Sequence, residues 1–263
     1  MLTLLHSTIK IRMSTLPIYK NVIMACHITG IYDVNRSYTL PNDDYSLVKA
    51  WADSVIDLKL NGIIFHNNFS EATCLKYQNE HISFVKIEYD SRFNPNIYRY
   101  LVYDEYLQNH HHTIENIFLT DISDVVVVRN PFLQPFYLQN TSAIFCGDEP
   151  KVLHNEWMQA HSEHLRSKIG DYAQYEKYFG SKTLLNCGIV GGNITVMREF
   201  IGKLSSIHRQ YNHDNQTAYT GDMGAFNYLI YTIFNNRFFH GSPINTVFKE
   251  YQNLRTDCWF RHK

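Results

Sequence analysis

The stretch that decides the fold is residues 116–132, NIFLTDISDVVVVRNPF. A short apolar run ends at Thr120, the acids Asp121 and Asp124 follow, and a second apolar run begins directly after them. Short apolar runs bounded by polar residues are typical of buried strands. Two carboxylates beside buried strands are costly unless something compensates their charge. The stretch therefore predicts a strand that ends at a cation site.

Mn²⁺ and Mg²⁺ are the cations that such a pair of acids favours. Hard divalent ions take oxygen ligands, and they also bind the phosphates of substrates. We therefore expect Asp121 and Asp124 to hold Mn²⁺ or Mg²⁺. The alternative is that Asp121 caps a turn and that Asp124 is solvated.

The segments before this stretch alternate between strand-like and helix-like patterns. Three apolar runs predict strands and two segments with helical spacing predict helices, namely 21–29, 62–66, 82–87, 46–60 and 95–107. Within the first helical segment, Ser46 is expected to cap the start and Gly62 to follow the end. The alternation predicts an α/β fold with a mostly parallel central sheet flanked by helices. Ligands of such sheets bind beyond the carboxyl ends of the strands, where Asp121 lies.

The second half of the chain is less regular. Apolar runs predict strands at 143–146 and 184–190, and helices are expected at 154–178, 195–207 and 222–234. Neither GxGxxG nor GxxxxGK(S/T) occurs, so the motifs give no support to a dinucleotide-binding or P-loop protein. Because we find no repeat or linker, we expect one domain over residues 1–263, with 1–18 as a loosely ordered amino-terminal extension.

Charge excludes one class of partner. The formal net charge is -1, and lysine and arginine form no stripe along the sequence. Proteins that bind nucleic acid by neutralising phosphates are usually basic. We therefore expect no nucleic-acid partner.

Cysteine usage and hydropathy indicate the compartment. The five cysteines form no CxxC pair and are odd in number, which argues against zinc and disulfide frameworks. The apolar start, residues 1–5, is too short for a signal peptide, and no stretch reaches eighteen apolar residues. We therefore expect a cytoplasmic protein without a transmembrane segment.

A second motif, LLNCGIVGGN at 184–193, has the residues of a ligand pocket wall. Gly188, Gly191 and Gly192 allow a ligand to approach the backbone closely. Asn186 offers both a donor and an acceptor to sugar hydroxyls. The alternative is a tight turn after a buried strand.

Further polar residues follow at intervals. Asp222 stands in GDMGAFN at 221–227, where it has the alternative role of a helix N-cap. His240 and Gly241 stand in FFHGSPIN at 238–245, and Asp148 and Glu149 follow the 143–146 run.

The order of these motifs resembles that of the GT-A fold glycosyltransferases, whose acids hold a divalent ion that bridges the donor diphosphate. The resemblance covers the acids, the Asn-x-Gly strand, the Gly-Asp helix start and the His-Gly pair, over about 125 residues. Two features depart from the family pattern. The acids are spaced Asp-x-x-Asp, which leaves open whether Ser123 or Asp124 is the second ligand, and Met223 stands where glutamine is common.

The resemblance implies a metal-dependent transfer of a sugar from a nucleoside diphosphate sugar, with UDP the expected nucleotide, to a hydroxyl of a glycan, protein or small molecule. The metal ligands that it implies are Asp121, Asp124 and His240. The donor-binding residues that it implies are Arg99, Thr120, Asp121, Gly188, Gly191, Gly192 and Gly241. The catalytic residues that it implies are Asp222, Asp148 and Asn186.

The His-Gly pair resembles that of retaining enzymes, in which the histidine completes the metal site, so retention of anomeric configuration is favoured. An inverting enzyme needs a general base at the acceptor, and Asp148, Glu149 or Asp222 would serve.

There are three alternatives to a glycosyltransferase. A non-catalytic protein of the same fold that binds sugar nucleotide or glycan would fit the altered acid spacing and Met223. A metal-dependent phosphatase of the haloacid type needs a second aspartate two residues after the first, where this chain has Ser123. A sugar-phosphate nucleotidyltransferase needs a glycine-rich basic loop near the first strand, which the sequence lacks.

Overall fold

The computed structural model describes residues 11–12, 19–33, 37–212 and 221–263. Of the expected loose extension at 1–18, only Ile11–Arg12 is described. These two residues pair with the edge of the central sheet, so that this part of the segment is a strand.

The strands are numbered along the chain. They are β1 Ile11–Arg12, β2 Asn21–His27, β3 Tyr32–Asp33, β4 Tyr38–Thr39, β5 Gly62–His66, β6 Ile82–Ile87, β7 Asn116–Thr120, β8 Val125–Val127, β9 Ile144–Val152, β10 Thr183–Asn193, β11 Phe238–His240 and β12 Phe260–His262.

The α-helices are numbered in the same way. They are α1 Ser46–Asp57, α2 Glu71–Tyr77, α3 Pro95–His110, α4 Pro135–Gln139, α5 Glu156–Arg166, α6 Tyr172–Phe179, α7 Ile194–Tyr211 and α8 Asp222–Ile233.

The central sheet has eight strands in the order β1-β6-β5-β2-β7-β10-β9-β11. Four of its seven pairings are parallel, and β10 runs antiparallel between β7 and β9. This confirms the expected α/β fold with a mostly parallel sheet. The antiparallel strand β10 matters for the site, because it brings Gly188 beside the end of β7: the Asp121 N–H donates to the Gly188 carbonyl at 2.7 Å.

Two apolar cores cover the two faces of the sheet. One includes Leu101 of α3, Phe200 of α7 and Phe226 of α8, and the other includes Trp51 of α1 and Trp259. Because successive side chains of a strand point to opposite faces, β7 contributes to both cores.

Some local expectations are wrong in detail. Ser46 is the first residue of α1 and not its cap, since Tyr45 precedes the helix and Asp44 Oδ1 accepts from the Ser46 N–H at 2.9 Å. Gly62 begins β5 and lies past the end of α1 at Asp57. Pro95, the first residue of the second predicted helix, opens α3, because its fixed φ suits the first helical position.

The second apolar run of the deciding stretch forms its own small sheet. β8 pairs antiparallel with β12, so that Val125 lies opposite His262. The chain after β7 is thereby joined to a segment more than 130 residues later in the sequence.

None of the described helices combines the length and the apolar character that a membrane crossing requires. The five cysteines all lie among the described residues, and none forms a disulfide.

Acid is expected to destabilise the fold through two buried histidines. Burial, with the charges of Lys86 and His27, lowers the pKa of His66 to about 4, and burial lowers that of His208 to about 3. The unfolded chain takes up these protons near the ordinary pKa of about 6.5, so the free energy of unfolding falls as the pH drops from about 7 toward 4. The expected slope is roughly 1 kcal/mol per pH unit for each histidine within that window.

Urea unfolding at pH 7.5, 6 and 5 measures this slope. A His66→Asn variant, whose amide oxygen replaces the Nδ1 that accepts from the Phe69 N–H, is expected to show a shallower dependence. An unchanged slope in the variant would contradict the assignment.

Candidate active site

The first acid of the deciding stretch lies directly after β7, facing α3. Thr120 Oγ1 accepts from the Trp51 indole at 2.8 Å on the α1 side. Since successive side chains alternate, Asp121 points to the other face, where Arg99 of α3 contacts its Oδ1. Thr120, expected to bind the donor, therefore uses its hydroxyl to anchor α1 to the sheet.

Arg99 is held in one place by several acceptors. Its Nε donates to the Asn96 carbonyl at 3.1 Å, and its Nη2 donates to Tyr100 Oη at 3.3 Å. Although burial opposes its charge, the carboxylate of Asp121 raises the pKa of Arg99 well above its usual value. Arg99 thus stays charged, and it fixes the side chain of Asp121 through one carboxylate oxygen.

The other oxygen of Asp121 belongs to a group of three potential metal ligands. Asp121, Asp124 and His262 each offer one atom, and these atoms all lie within 4.8 Å of one another. His262 Nε2 is 3.9 Å from Asp121 Oδ2 and 3.8 Å from Asp124 Oδ2. These separations are too long for hydrogen bonds. They suit ligands that share one ion, because two ligands each about 2.1 Å from an ion are separated by at most about 4.2 Å.

His262 reaches the acids through β12. Its backbone N–H donates to Thr246 Oγ1 at 3.0 Å, and the following Lys263 N–H donates to the Asp124 carbonyl at 3.0 Å. The imidazole is almost fully buried, and its Nδ1 has no hydrogen-bond partner among the described residues. No motif in the sequence points to His262. The apolar residues 258–260 shortly before it indicate a strand, but they do not indicate which other strand it pairs with.

His240, expected as the third metal ligand, lies elsewhere. It ends β11, and its Nδ1 donates to Asp148 Oδ2 at 2.9 Å. In the described chain, the group that could hold a metal contains His262 in its place. Asp124, the second acid of the Asp-x-x-Asp spacing, lies within reach of the same ion as Asp121.

Gly188 and Asn186 form the wall beside the acids. A Cβ on Gly188 would come within 2.6 Å of the His262 ring and 2.7 Å of Asp121 Oδ2. Asn186 Oδ1 accepts from the Gly188 N–H at 2.7 Å, and Asn186 Nδ2 donates to Glu149 Oε1 at 2.9 Å. Asn186 therefore links the metal-ligand group to β9.

Asp222 lies on the far side of Arg99, at the start of α8. Its Oδ2 is 4.0 Å from Arg99 Nη2, and the thiol of Cys187 donates to it at 3.6 Å. Gly221 precedes the helix in the left-handed region, and Asp222 is the first helical residue, so it is not an N-cap. Burial raises the pKa of the Cys187 thiol well above its usual value, so this sulfur stays protonated and is no nucleophile.

Gly191 and Gly192, expected to bind the donor, serve packing. Both are buried in β10, opposite Phe118 and Ile117 of β7. A Cβ on Gly191 would come within 2.3 Å of the Phe118 ring, and one on Gly192 within 2.7 Å of the Ala143 carbonyl. Close contact with a ring accounts for Gly191, and close contact with a backbone carbonyl accounts for Gly192.

Alanine substitutions are expected to distinguish Gly191, which packs against the core, from Gly188, which adjoins the metal-ligand atoms. Gly191→Ala overpacks the core and should cost about 1–3 kcal/mol of unfolding free energy while leaving Mn²⁺ affinity unchanged. Gly188→Ala places its methyl group among the metal-ligand atoms and should lower Mn²⁺ affinity at least tenfold. Urea unfolding and calorimetric Mn²⁺ titration measure the two effects, and equal Mn²⁺ affinities in the two variants would contradict the assignment.

A cavity of about 530 Å³ is lined mainly by residues of β9 and of the chain after β11. Its wall includes the expected residues Asp148 and Gly241, and the other polar lining residues are Glu149, Lys151, Thr183, Ser242, Asn245 and Arg255. Gly241 has a φ of +73°, and a Cβ there would come within 2.7 Å of Asp148 Oδ2. Glu149 accepts from Asn186 Nδ2, and Asn186 Oδ1 accepts from the Gly188 N–H, so two hydrogen bonds join the cavity wall to the glycine that adjoins Asp121 and His262.

The donor set fits a divalent ion. Two carboxylates and a neutral imidazole suit Mn²⁺, and Mg²⁺ would use the carboxylates and complete its shell with water or phosphate. The buried imidazole of His262 turns its Nε2 toward both acids.

Comparison with known proteins establishes the fold. No family model and no curated protein matches the chain. Among solved structures, the galactosyltransferase LgtC in complex with donor and acceptor sugar analogues matches with a TM-score of 0.52 and 15% identity, over 92% of this chain and 86% of that one. An active-site mutant of LgtC matches with a TM-score of 0.50 and 14% identity over the same shares.

The bifunctional glycosyltransferase WbbM gives a third match, with a TM-score of 0.52 and 11% identity. It covers 95% of this chain and 46% of the WbbM chain, so that this chain corresponds to about half of that protein. These likenesses show that the chain has a GT-A-type glycosyltransferase fold.

Proposed function

We propose that this chain is a glycosyltransferase that moves a sugar from a nucleoside diphosphate sugar, with UDP as the nucleotide, to an acceptor hydroxyl. A divalent metal ion, Mn²⁺ or Mg²⁺, is held by Asp121, Asp124 and His262. The observation that carries the proposal is this three-ligand group, which lies after a strand of a glycosyltransferase fold.

The chain's own residues prepare the site for a diphosphate. Arg99 holds one oxygen of Asp121 and leaves the other toward the metal-ligand atoms. When bound, the metal ion would compensate the negative charge of the departing diphosphate. The charged guanidinium of Arg99 lies next to the same place and adds to that compensation.

The donor sugar is expected to lie between the metal-ligand group and the cavity. Asp222 and Asn186 flank this space from α8 and β10, and both are polar groups held in place by hydrogen bonds. Each offers an acceptor for sugar hydroxyls, and the backbone of Gly188 permits close approach.

Thermal unfolding with a panel of nucleoside diphosphates and sugar nucleotides, with and without Mn²⁺, tests the proposal. A ligand at 100 times its Kd stabilises the folded state by about 2.7 kcal/mol, which shifts the Tm by roughly 5–10 °C in a chain of this size. We expect such a shift with UDP or a UDP-sugar only when Mn²⁺ is present. The absence of a shift with every nucleotide would overturn the proposal. A shift without turnover of any donor would favour the non-catalytic alternative.

A further inference from the structure

His240 and Asp148 form a hydrogen-bonded pair at the edge of the cavity. His240 Nδ1 is 2.9 Å from Asp148 Oδ2, and Asn245 Nδ2 lies 3.3 Å from Asp148 Oδ1. Both oxygens of the carboxylate therefore have donors. A Cβ on Gly241 would come within 2.7 Å of Asp148 Oδ2. The backbone directly after β11 therefore packs against the carboxylate.

The pair fixes which nitrogen of His240 carries the proton. A carboxylate only accepts hydrogen bonds, so Nδ1 must be the protonated nitrogen of the neutral imidazole. Nε2 is then an unprotonated acceptor, and the described residues offer it no hydrogen-bond partner. The His240 side chain is 31% exposed, so a substrate can reach it. A histidine held in this way by an acid is the arrangement that deprotonates a hydroxyl nucleophile.

The pair lies where an acceptor would sit. Asp148 and Gly241, the residue after His240, both line the cavity of about 530 Å³. This volume lies within the usual range for small-molecule sites. The cavity wall is rich in polar side chains, which suits a carbohydrate. The hydrogen bonds of Asn186 to Glu149 and Gly188 join the cavity wall to the glycine that adjoins Asp121 and His262.

We propose that His240 is the base that takes the proton from the acceptor hydroxyl, and that Asp148 is the positioning residue that orients it. This inference rests on the proposed glycosyltransferase function. In the step, the acceptor oxygen forms a bond to the anomeric carbon and its proton passes to His240 Nε2. The bond from the anomeric carbon to the diphosphate breaks, and the electron pair leaves with the nucleoside diphosphate. A base at the acceptor belongs to an inverting enzyme, so this assignment favours inversion of the anomeric configuration over the retention that the His-Gly pair implied.

This assignment makes His240 a base, whereas the His-Gly pair implied that it is a metal ligand. It also makes Asp148 an orienting acid and not the base, because both its oxygens already accept hydrogen bonds. The two roles of His240 differ in what its loss changes: a ligand's loss weakens metal binding, and a base's loss slows transfer.

Donor turnover in a His240→Gln variant tests the base. The assay uses UDP-hexoses with Mn²⁺, and water and p-nitrophenyl hexosides serve as the acceptor probes. A general base contributes about 10²- to 10⁴-fold. We expect turnover to fall by that factor while the Mn²⁺-dependent Tm shift with UDP keeps its wild-type size. His112→Gln, at an exposed histidine, is the matched control and should behave as wild type.

Asp148→Asn tests the positioning role without removing the imidazole. Asn245 Nδ2 continues to face the side-chain oxygen, so the new amide NH₂ faces His240 Nδ1. Nδ1 must then accept, and the proton moves to Nε2. We expect turnover to fall almost as far as in His240→Gln. In ¹⁵N-histidine NMR spectra, the His240 signals should change from the Nδ1–H to the Nε2–H tautomer.

Chemical rescue separates a base from a structural residue. Free imidazole is expected to restore part of the turnover of His240→Ala, and to leave Asp148→Asn unchanged because its imidazole still fills the place. Wild-type turnover in both His240→Gln and Asp148→Asn, or an Nε2–H tautomer in the wild type, would overturn the inference. A Tm shift with UDP and Mn²⁺ but no turnover in the wild type would also overturn it. Failure of the proposed function itself gives a different result, namely no Mn²⁺-dependent Tm shift with any nucleotide.

Discussion

An Asp121→Asn variant is expected to lose the Mn²⁺-dependent binding of UDP and to slow sugar transfer by about 10³-fold. Asp121 is the acid that both Arg99 and the metal-ligand group share, since its Oδ1 contacts Arg99 and its Oδ2 faces His262. The substitution removes the negative charge and keeps an oxygen for Arg99. The fold should therefore persist while the affinity for the cation falls.

Isothermal titration with Mn²⁺, followed by UDP, measures this loss. Asp53→Asn is the matched control, because Asp53 is an exposed carboxylate paired with Lys49 on α1. It should bind Mn²⁺ and UDP as the wild type does. Unchanged Mn²⁺-dependent UDP binding in Asp121→Asn would contradict the metal site.

Of the two candidate histidines, only His262 is expected to affect metal affinity. His262→Gln should weaken Mn²⁺ binding about 10- to 100-fold, because the buried imidazole that faces both acids is lost. His240→Gln should leave Mn²⁺ affinity within about twofold, because its imidazole faces Asp148.

Electron paramagnetic resonance of free Mn²⁺ across a titration gives both affinities directly. The variants are matched in residue type and in substitution, so each serves as the control for the other. The reverse order of effects would restore the expectation drawn from the His-Gly motif and would contradict the structure.

Much of the fold follows from local sequence. The apolar runs at β2, β5, β6 and β7 are buried strands of a parallel sheet, and the pattern of each run suffices to predict it. The place of Asp121 also follows, because a polar residue directly after such a strand lies at the ligand edge of the sheet.

The residues that complete the site depend on long-range pairing, which a sequence pattern does not contain. His262 reaches Asp124 because β12 pairs with β8, and no local periodicity states which strand is the partner. His240 illustrates the converse case. The His-Gly pair is present in the sequence, but the register of β11 on β9 places His240 beside Asp148.

Glycines show the same limit. A glycine that faces a ligand and a glycine that packs against a ring look alike in LLNCGIVGGN. Gly188 adjoins the acids, whereas Gly191 adjoins Phe118, and the difference arises from the antiparallel register of β10 on β7.

A crystal structure with Mn²⁺ and UDP, with anomalous data collected at the manganese edge, tests the central claim most directly. The account predicts one anomalous peak bonded to a carboxylate oxygen of Asp121, a carboxylate oxygen of Asp124 and Nε2 of His262, with the diphosphate on the same ion. Bound UDP with no such peak, or a manganese peak at His240 and Asp148, would contradict it.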